Sequence, residues 1–99
     1  MTAESILVVD DDRTICKVLE LQLGHLGYKV IGSARTANEA IRMVRTHEPD
    51  LVLMDINLGR GGDGISTAEV IRKEYSVPVI YVTAYADEET LERAKKTLP

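Results

Sequence analysis

The fold is decided by the stretch ILVVDDD, residues 6–12, in which an apolar run ends abruptly in three aspartates. Both faces of residues 6–9 are apolar, as expected for a parallel strand that is covered on two sides. A second apolar run, LVLM at residues 51–54, ends in Asp55 in the same way. Because parallel strands end side by side at one edge of a sheet, we expect Asp10, Asp11 and Asp55 to share one pocket there.

Clustered carboxylates repel one another unless a cation neutralises them. Hard divalent ions with oxygen ligands are the usual solution, and Mg²⁺ is the common one near phosphate. These residues therefore predict a magnesium site at the carboxyl edge of the sheet.

Short β-rich runs alternate with amphipathic stretches along the chain, which predicts four βα units. Such a pattern predicts an α/β fold with a doubly wound parallel sheet, and a central first strand gives the strand order 2-1-3-4. The predicted strands are residues 6–9, 28–34, 51–54 and 78–82. The predicted helices begin after Asp12, after Thr36, at Gly64 or Ile65, and after Asp87.

Local signals support these helix boundaries. Asp12 can cap the first helix, and the spacing of Thr36 and Glu39 is that of a capping box. Gly27 is a natural stop for the first helix. The inward face of that helix is predicted from residues at helical spacing, namely Ile15, Val18, Leu19, Leu23 and Leu26.

Composition argues against several classes of protein, namely nucleic-acid-binding, membrane-spanning and secreted proteins. The 99 residues predict one domain over residues 1–99, and a net charge of −4 without a basic stripe argues against direct nucleic-acid binding. No apolar run approaches the ~20 residues that span a bilayer, and the start lacks a signal peptide. The single cysteine, Cys16, predicts a small core residue and a reducing, cytoplasmic setting.

The predicted site suits transfer of a phosphoryl group to an aspartate. A carboxylate is a competent nucleophile when it is oriented and partly desolvated. Asp55 is the candidate acceptor, and Thr83, at the end of the fourth strand, can donate a hydrogen bond to a phosphoryl oxygen after transfer.

Four motifs in this order resemble the receiver domain of two-component response regulators, the CheY-like family. They are ILVVDDD at 6–12, DLVLMDINL at 50–58, Asp63-Gly64, and PVIYVTAYAD at 78–87. The resemblance implies a flavodoxin-like fold and a phosphoryl group taken by Asp55 from a sensor histidine kinase or phosphotransfer protein. It also implies Mg²⁺ held by Asp10, Asp11, Asp55 and the carbonyl of Asn57, with Thr83 as the switch hydroxyl that signals to an effector domain or partner.

The sequence departs from the family pattern at its end. The family has a fifth strand, ending in Lys-Pro, and a fifth helix, whereas this sequence stops at Pro99. We therefore expect a truncated receiver domain that lacks the family's lysine. The fourth strand would then be an exposed apolar edge, which predicts self-association through it.

Two other functions remain open from the sequence. A pseudo-receiver would bind partners in this fold without taking phosphate. A Mg²⁺-dependent phosphohydrolase with an aspartyl nucleophile would need a second acid two residues beyond it, and Asn57 occupies that position. The favoured prediction is a signalling domain and not a turnover enzyme.

Overall fold

A computed structural model of the chain describes residues 4–56, 58 and 63–82. Strands and helices alternate through this part of the chain, as the sequence predicts. The elements are β1 (Ser5–Val9), α1 (Arg13–His25), β2 (Lys29–Ala34), α2 (Ala37–His47), β3 (Leu51–Asp55), α3 (Gly64–Tyr75) and β4 (Val79–Val82).

The four strands form one parallel sheet in the order β2-β1-β3-β4. The predicted strand order and the doubly wound, flavodoxin-like fold class are therefore confirmed. Val9 is paired with Met54, so β1 and β3 end beside each other. This register brings the residues that follow β1 to the end of β3, where Asp55 is the last strand residue.

Helices cover both faces of the sheet because the central strands are apolar on both. One face of β1, with Ile6 and Val8, packs against α1 through Cys16. The other face, with Leu7 and Val9, belongs to a larger core that includes residues of α2 and α3. Both faces of β1 are nearly inaccessible to solvent, as its sequence predicts.

The predicted helix caps are present. The Asp12 carboxylate accepts the N–H groups of Thr14 (2.8 Å) and Ile15 (3.3 Å), which begins α1 directly after the aspartate run. At α2, the Thr36 hydroxyl accepts the Glu39 N–H at 3.2 Å.

The glutamate of the predicted capping box does not accept the N–H of the cap residue Thr36. The Glu39 carboxylate accepts the N–H of Arg35, one residue before the cap, at 3.0 Å. The cap thus ties the start of α2 to the end of β2.

The predicted inward face of α1 is wrong at two residues. Val18 is 46% exposed, and Leu26 is 73% exposed. The helix contacts the sheet along Cys16, Leu19 and Leu23, so Val18 lies at the margin of this narrow stripe. Leu26 lies beyond the last helical residue, and Gly27 ends the helix at a φ of +93°, as predicted.

Element boundaries otherwise agree with the sequence to within a residue. The confirmed role of Cys16 is that of a small core residue, and burial raises the pKa of its thiol. None of the helices in the described ranges has the length and hydropathy that a bilayer crossing requires. The predicted helix after Asp87 falls on residues 83–99, which lie outside the described residues, and the expected lack of a fifth strand, which would begin after Pro99, stays a prediction.

Candidate functional site

Three carboxylates from two strands meet at the carboxyl edge of the sheet. One oxygen from each of Asp10, Asp11 and Asp55 lies within 4.8 Å of the other two. Asp10 and Asp11 follow β1, and Asp55 is the last residue of β3. The pairing of these two strands brings residues 45 positions apart in sequence to one place, as the sequence predicts.

Asp10 is the most enclosed member of the cluster, with only 5% of its surface exposed. Its carboxylate accepts the N–H of Asp12 at 2.9 Å, and its own N–H donates to the Ala34 carbonyl at 3.0 Å. Burial raises the pKa of the Asp10 carboxyl, and the negative charge of Asp11 raises it further. A buried carboxylate beside like charges is a group that a cation would stabilise.

The remaining two aspartates of the run have separate roles. Asp11 is exposed and still contributes an oxygen to the cluster. Asp12 points its carboxylate at the start of α1 and serves as the cap. The aspartate run therefore supplies two carboxylates to the cluster and one helix cap; the cap is confirmed, and the metal-binding roles of Asp10 and Asp11 stay predictions.

The backbone of Asp55 is held by the start of α3. Gly64, the first residue of that helix, donates its N–H to the Ile56 carbonyl at 3.0 Å. A Cβ at position 64 would overlap the Asp55 carbonyl oxygen and lie 2.8 Å from the Ile56 carbonyl oxygen. Only glycine allows α3 to approach the phosphoacceptor candidate this closely.

Asp63 fixes the same helix terminus. Its carboxylate accepts the Ile65 N–H at 2.9 Å, and its carbonyl accepts the Thr67 hydroxyl at 2.8 Å. Sequence reasoning found the pair Asp63-Gly64 only as a family motif. Its positioning role beside Asp55 depends on the packing of α3 against β3, which no local pattern encodes.

The carboxylate set fits a hard dication. Three anionic oxygens from separate side chains can enter one coordination sphere, and no thiolate or imidazole belongs to the group. All-oxygen ligands are typical of Mg²⁺ and Ca²⁺, whereas Zn²⁺ favours nitrogen and sulfur. The residues present are therefore compatible with the predicted metal.

Two predicted site residues cannot be located. Asn57 and Thr83 lie outside the described residues, so their roles stay predictions. They border the described site in sequence, since Ile56 precedes Asn57 and Val82 precedes Thr83. Within the described residues, Asp55 pairs with Val82 at the ends of β3 and β4.

Comparisons with known proteins agree with this geometry. The family model described as response regulator receiver domain matches residues 6–97. The chain is 38% identical over 86 residues to the phyllosphere-induced regulator PhyR of Methylorubrum extorquens, covering 86% of this chain and 32% of the relative. It is 33% identical over 90 residues to the transcriptional regulatory protein PdtaR of Mycobacterium tuberculosis, covering 91% of this chain and 43% of that protein.

A solved structure shows the same fold. The signal receiver domain of a modulated diguanylate cyclase from Desulfovibrio desulfuricans superposes with a TM-score of 0.89 at 35% identity, covering 97% of this chain and 76% of that one. The chain spans less than half the length of the two curated relatives named above. By its sequence, its strand order and its carboxylate cluster, the chain belongs to the response regulator receiver domain family.

Proposed function

We propose that residues 1–99 act as a phosphoacceptor domain in a two-component system, with Asp55 as the acceptor. The observation that carries this proposal is the convergence of Asp10, Asp11 and Asp55 within 4.8 Å at the end of the sheet. A single carboxylate at a strand end is unremarkable. Three that converge from two strands form a site that would hold a dication, and with the dication bound an anionic phosphoryl group could be brought to a carboxylate nucleophile.

In the proposed reaction, a carboxylate oxygen of Asp55 attacks the phosphorus of a phosphohistidine on a kinase or phosphotransfer protein. A P–O bond forms to Asp55, the P–N bond breaks, and its electron pair returns to the imidazole nitrogen, which is then protonated. Asp55 is half-buried, which agrees with a carboxylate that is partly desolvated. The absence of a side chain at Gly64 lets the start of α3 pack directly against the Asp55 backbone.

We assign Asp10, Asp11, Asp55 and the carbonyl of Asn57 as the residues that would hold Mg²⁺. The bound ion supplies charge neutralisation for the phosphoryl oxygens as they approach the acceptor. Without a cation, the charges of Asp10 and Asp11 oppose the approach of a phosphoryl group to Asp55. This electrostatic argument predicts that phosphorylation depends on a divalent ion.

We further propose that Thr83 donates a hydrogen bond to the new phosphoryl group and so shifts the surface around β4 and the fourth helix, which is predicted to follow Asp87. A partner protein or an effector domain would read this change. The role is regulatory, with no turnover of a small substrate, and the proposed setting is the cytoplasm. Neither nucleic acid nor membrane is a proposed direct partner.

The edge of the sheet at β4 supports a proposal of self-association. Within the described part of the chain, β4 pairs only with β3, and Ile80 is 51% exposed. A strand edge that is unpaired among the described residues and carries an exposed apolar side chain can pair with another chain. We propose this edge as a contact between two copies.

The proposed phosphotransfer is tested by intact mass spectrometry after incubation with acetyl phosphate and Mg²⁺. Wild type should gain the mass of one phosphoryl group, and the gain should be absent with EDTA or in Asp55→Asn. Glu74→Gln, which removes an exposed carboxylate on α3, is the matched control and should behave as wild type. A folded wild-type protein that gains no mass, or an equal gain in Asp55→Asn, would contradict the proposal and favour a pseudo-receiver.

A further inference from the structure

A second charged feature lies at the β2 edge of the sheet, and its lining residue Cys16 donates a hydrogen bond to the Asp10 carbonyl of the carboxylate cluster at 3.4 Å. A cavity of about 240 Å³ opens between α1, the end of β2 and the start of α2. Its charged lining comprises three cations, Arg13, Lys17 and Arg35, and two carboxylates, Glu20 and Glu39. Uncharged polar lining comes from Cys16 and Ser33.

The cations of this cavity form no direct ion pair among the described residues, although Glu20 and Glu39 line the same cavity. Within residues 4–56, 58 and 63–82, no ion pair joins Arg13, Lys17 or Arg35 to a carboxylate. Glu39 already accepts the backbone N–H of Arg35, which commits one of its oxygens to the helix cap. The cavity lining therefore has three cationic and two anionic groups, and no ion pair among the described residues holds its cations in place.

The geometry points to a binding site for a small oxyanion, and we propose that this cavity binds a phosphate or carboxylate group. Guanidinium groups from two separate elements, α1 and the end of β2, can each offer paired N–H donors to such a group. Lys17, one turn after Arg13 on α1, adds a third positive charge.

The volume of the cavity limits the size of the ligand. Sites for drug-sized molecules occupy about 300–1,000 Å³, so this cavity suits a smaller guest. Inorganic phosphate, a phosphomonoester or a short dicarboxylate is the chemical class that fits both volume and charge. The site is separate from the proposed phosphoacceptor, since none of Asp10, Asp11 and Asp55 lines it.

The test is a titration of the ¹⁵N-labelled chain with inorganic phosphate and, in a second arm, with succinate. EDTA is present throughout so that no anion can bind through a metal at the carboxylate cluster, and chloride keeps the ionic strength constant. The expected result is saturable shifts of the backbone amides of Lys17, Ser33 and Arg35, with a Kd below about 10 mM for at least one anion. The anion with the lower Kd identifies the chemical group that the cavity prefers.

Two charge-neutral variants test the assignment. Arg35→Gln keeps the backbone N–H that bonds Glu39, and Lys17→Gln alters an exposed helical position. Each should weaken binding by about tenfold or more, since each removes a charge-assisted contact. Arg45→Gln, an exposed arginine in the last turn of α2 outside the cavity, should leave the affinity unchanged.

Several results would overturn the proposal. Amide chemical shifts that do not saturate with either anion would mean that the anions only screen the surface charges and that no specific site exists. Equal affinities in wild type, Arg35→Gln and Lys17→Gln would place the binding elsewhere. The same would follow if Arg45→Gln lost as much affinity as the two cavity variants. Because metal is excluded and Asp55 is not involved, these results are independent of the phosphorylation experiment.

Discussion

Replacing Asp10 by asparagine should stabilise the metal-free protein and abolish its stabilisation by Mg²⁺. Asp10 is 5% exposed, and its ligand oxygen lies within 4.8 Å of oxygens from Asp11 and Asp55. Asparagine keeps the shape and an Oδ1 acceptor for the N–H of Asp12, which now donates at 2.9 Å. The change therefore removes the charge while leaving the main local contact in place.

The size of the effect follows from the separations in the cluster. Two unit charges about 4 Å apart repel by about 1 kcal/mol in water and about 4 kcal/mol at a dielectric of about 20. Asp11 is exposed and Asp55 is half-buried, so the lower figure is appropriate for each pair. We expect Asp10→Asn to raise the metal-free free energy of unfolding by about 2 kcal/mol, which is roughly 10 °C in Tm for a domain of this size.

Thermal unfolding with EDTA and with saturating Mg²⁺ checks both effects. Wild type should gain stability with Mg²⁺, whereas Asp10→Asn should gain little. Glu74→Gln removes an exposed carboxylate and should change the free energy of unfolding by no more than about 0.5 kcal/mol. An Asp10→Asn protein that is less stable than wild type in EDTA, or that gains as much from Mg²⁺, would refute the reasoning.

Four further predictions concern single features of the fold. Burial raises the pKa of the Asp10 carboxyl, so the folded state favours the protonated form, and the stability that comes with this form is complete below about pH 4 and is lost as pH rises through the folded-state pKa. The stability advantage of Asp10→Asn over metal-free wild type should therefore grow from pH 4 to pH 7 in urea unfolding. A stability difference that does not depend on pH would contradict this sign. Gly64→Ala should cost about 3 kcal/mol or more, because the added methyl meets the backbone of Asp55, whereas Gly24→Ala in α1 has open space and should stabilise by about 0.5–1 kcal/mol; equal urea midpoints for the two would be inconsistent with the close approach of α3. Asp12→Ala should cost about 1 kcal/mol through loss of the α1 cap, and Asp12→Ser should recover most of that; similar losses in both would argue against capping. Ile80→Lys should abolish any concentration-dependent dimer seen by light scattering, and a dimer that persists unchanged would exclude the β4 edge as its interface.

The fold was largely predictable because its signals are local. The apolar run at residues 6–9 is typical of a strand buried on both faces, and Asp12, Thr36 and Gly27 mark helix ends by their own chemistry. The convergence of Asp10 and Asp55 followed from parallel pairing, without any knowledge of their side-chain positions.

Features set by packing could not be predicted. Val18 has the spacing of a core residue, but the contact stripe of α1 is too narrow to cover it. The C-caps of α2 and α3 are Glu48 and Ser76, and both have a positive φ. Neither position is a glycine, so the sequence does not predict the left-handed backbone there. The contact of Gly64 with the end of β3 depends on how α3 meets the sheet, which spacing along the chain does not determine.

The unequal burial of Asp10 and Asp11 is a similar case. Adjacent residues at a strand end point in different directions, so one carboxylate is enclosed and the other exposed. The sequence predicts that both join the cluster, but the difference in their surroundings, and so the raised pKa of Asp10, depends on the residues packed around them.

The most direct test of the carboxylate cluster as one dication site is titration calorimetry with Mg²⁺. The account predicts saturable binding of one ion to wild type and to Glu74→Gln, and binding weakened by about tenfold or more in Asp11→Asn, whose exposed carboxylate contributes one of the three ligand oxygens. Absence of Mg²⁺ binding by the folded wild-type protein, or equal affinities for wild type and Asp11→Asn, would contradict it.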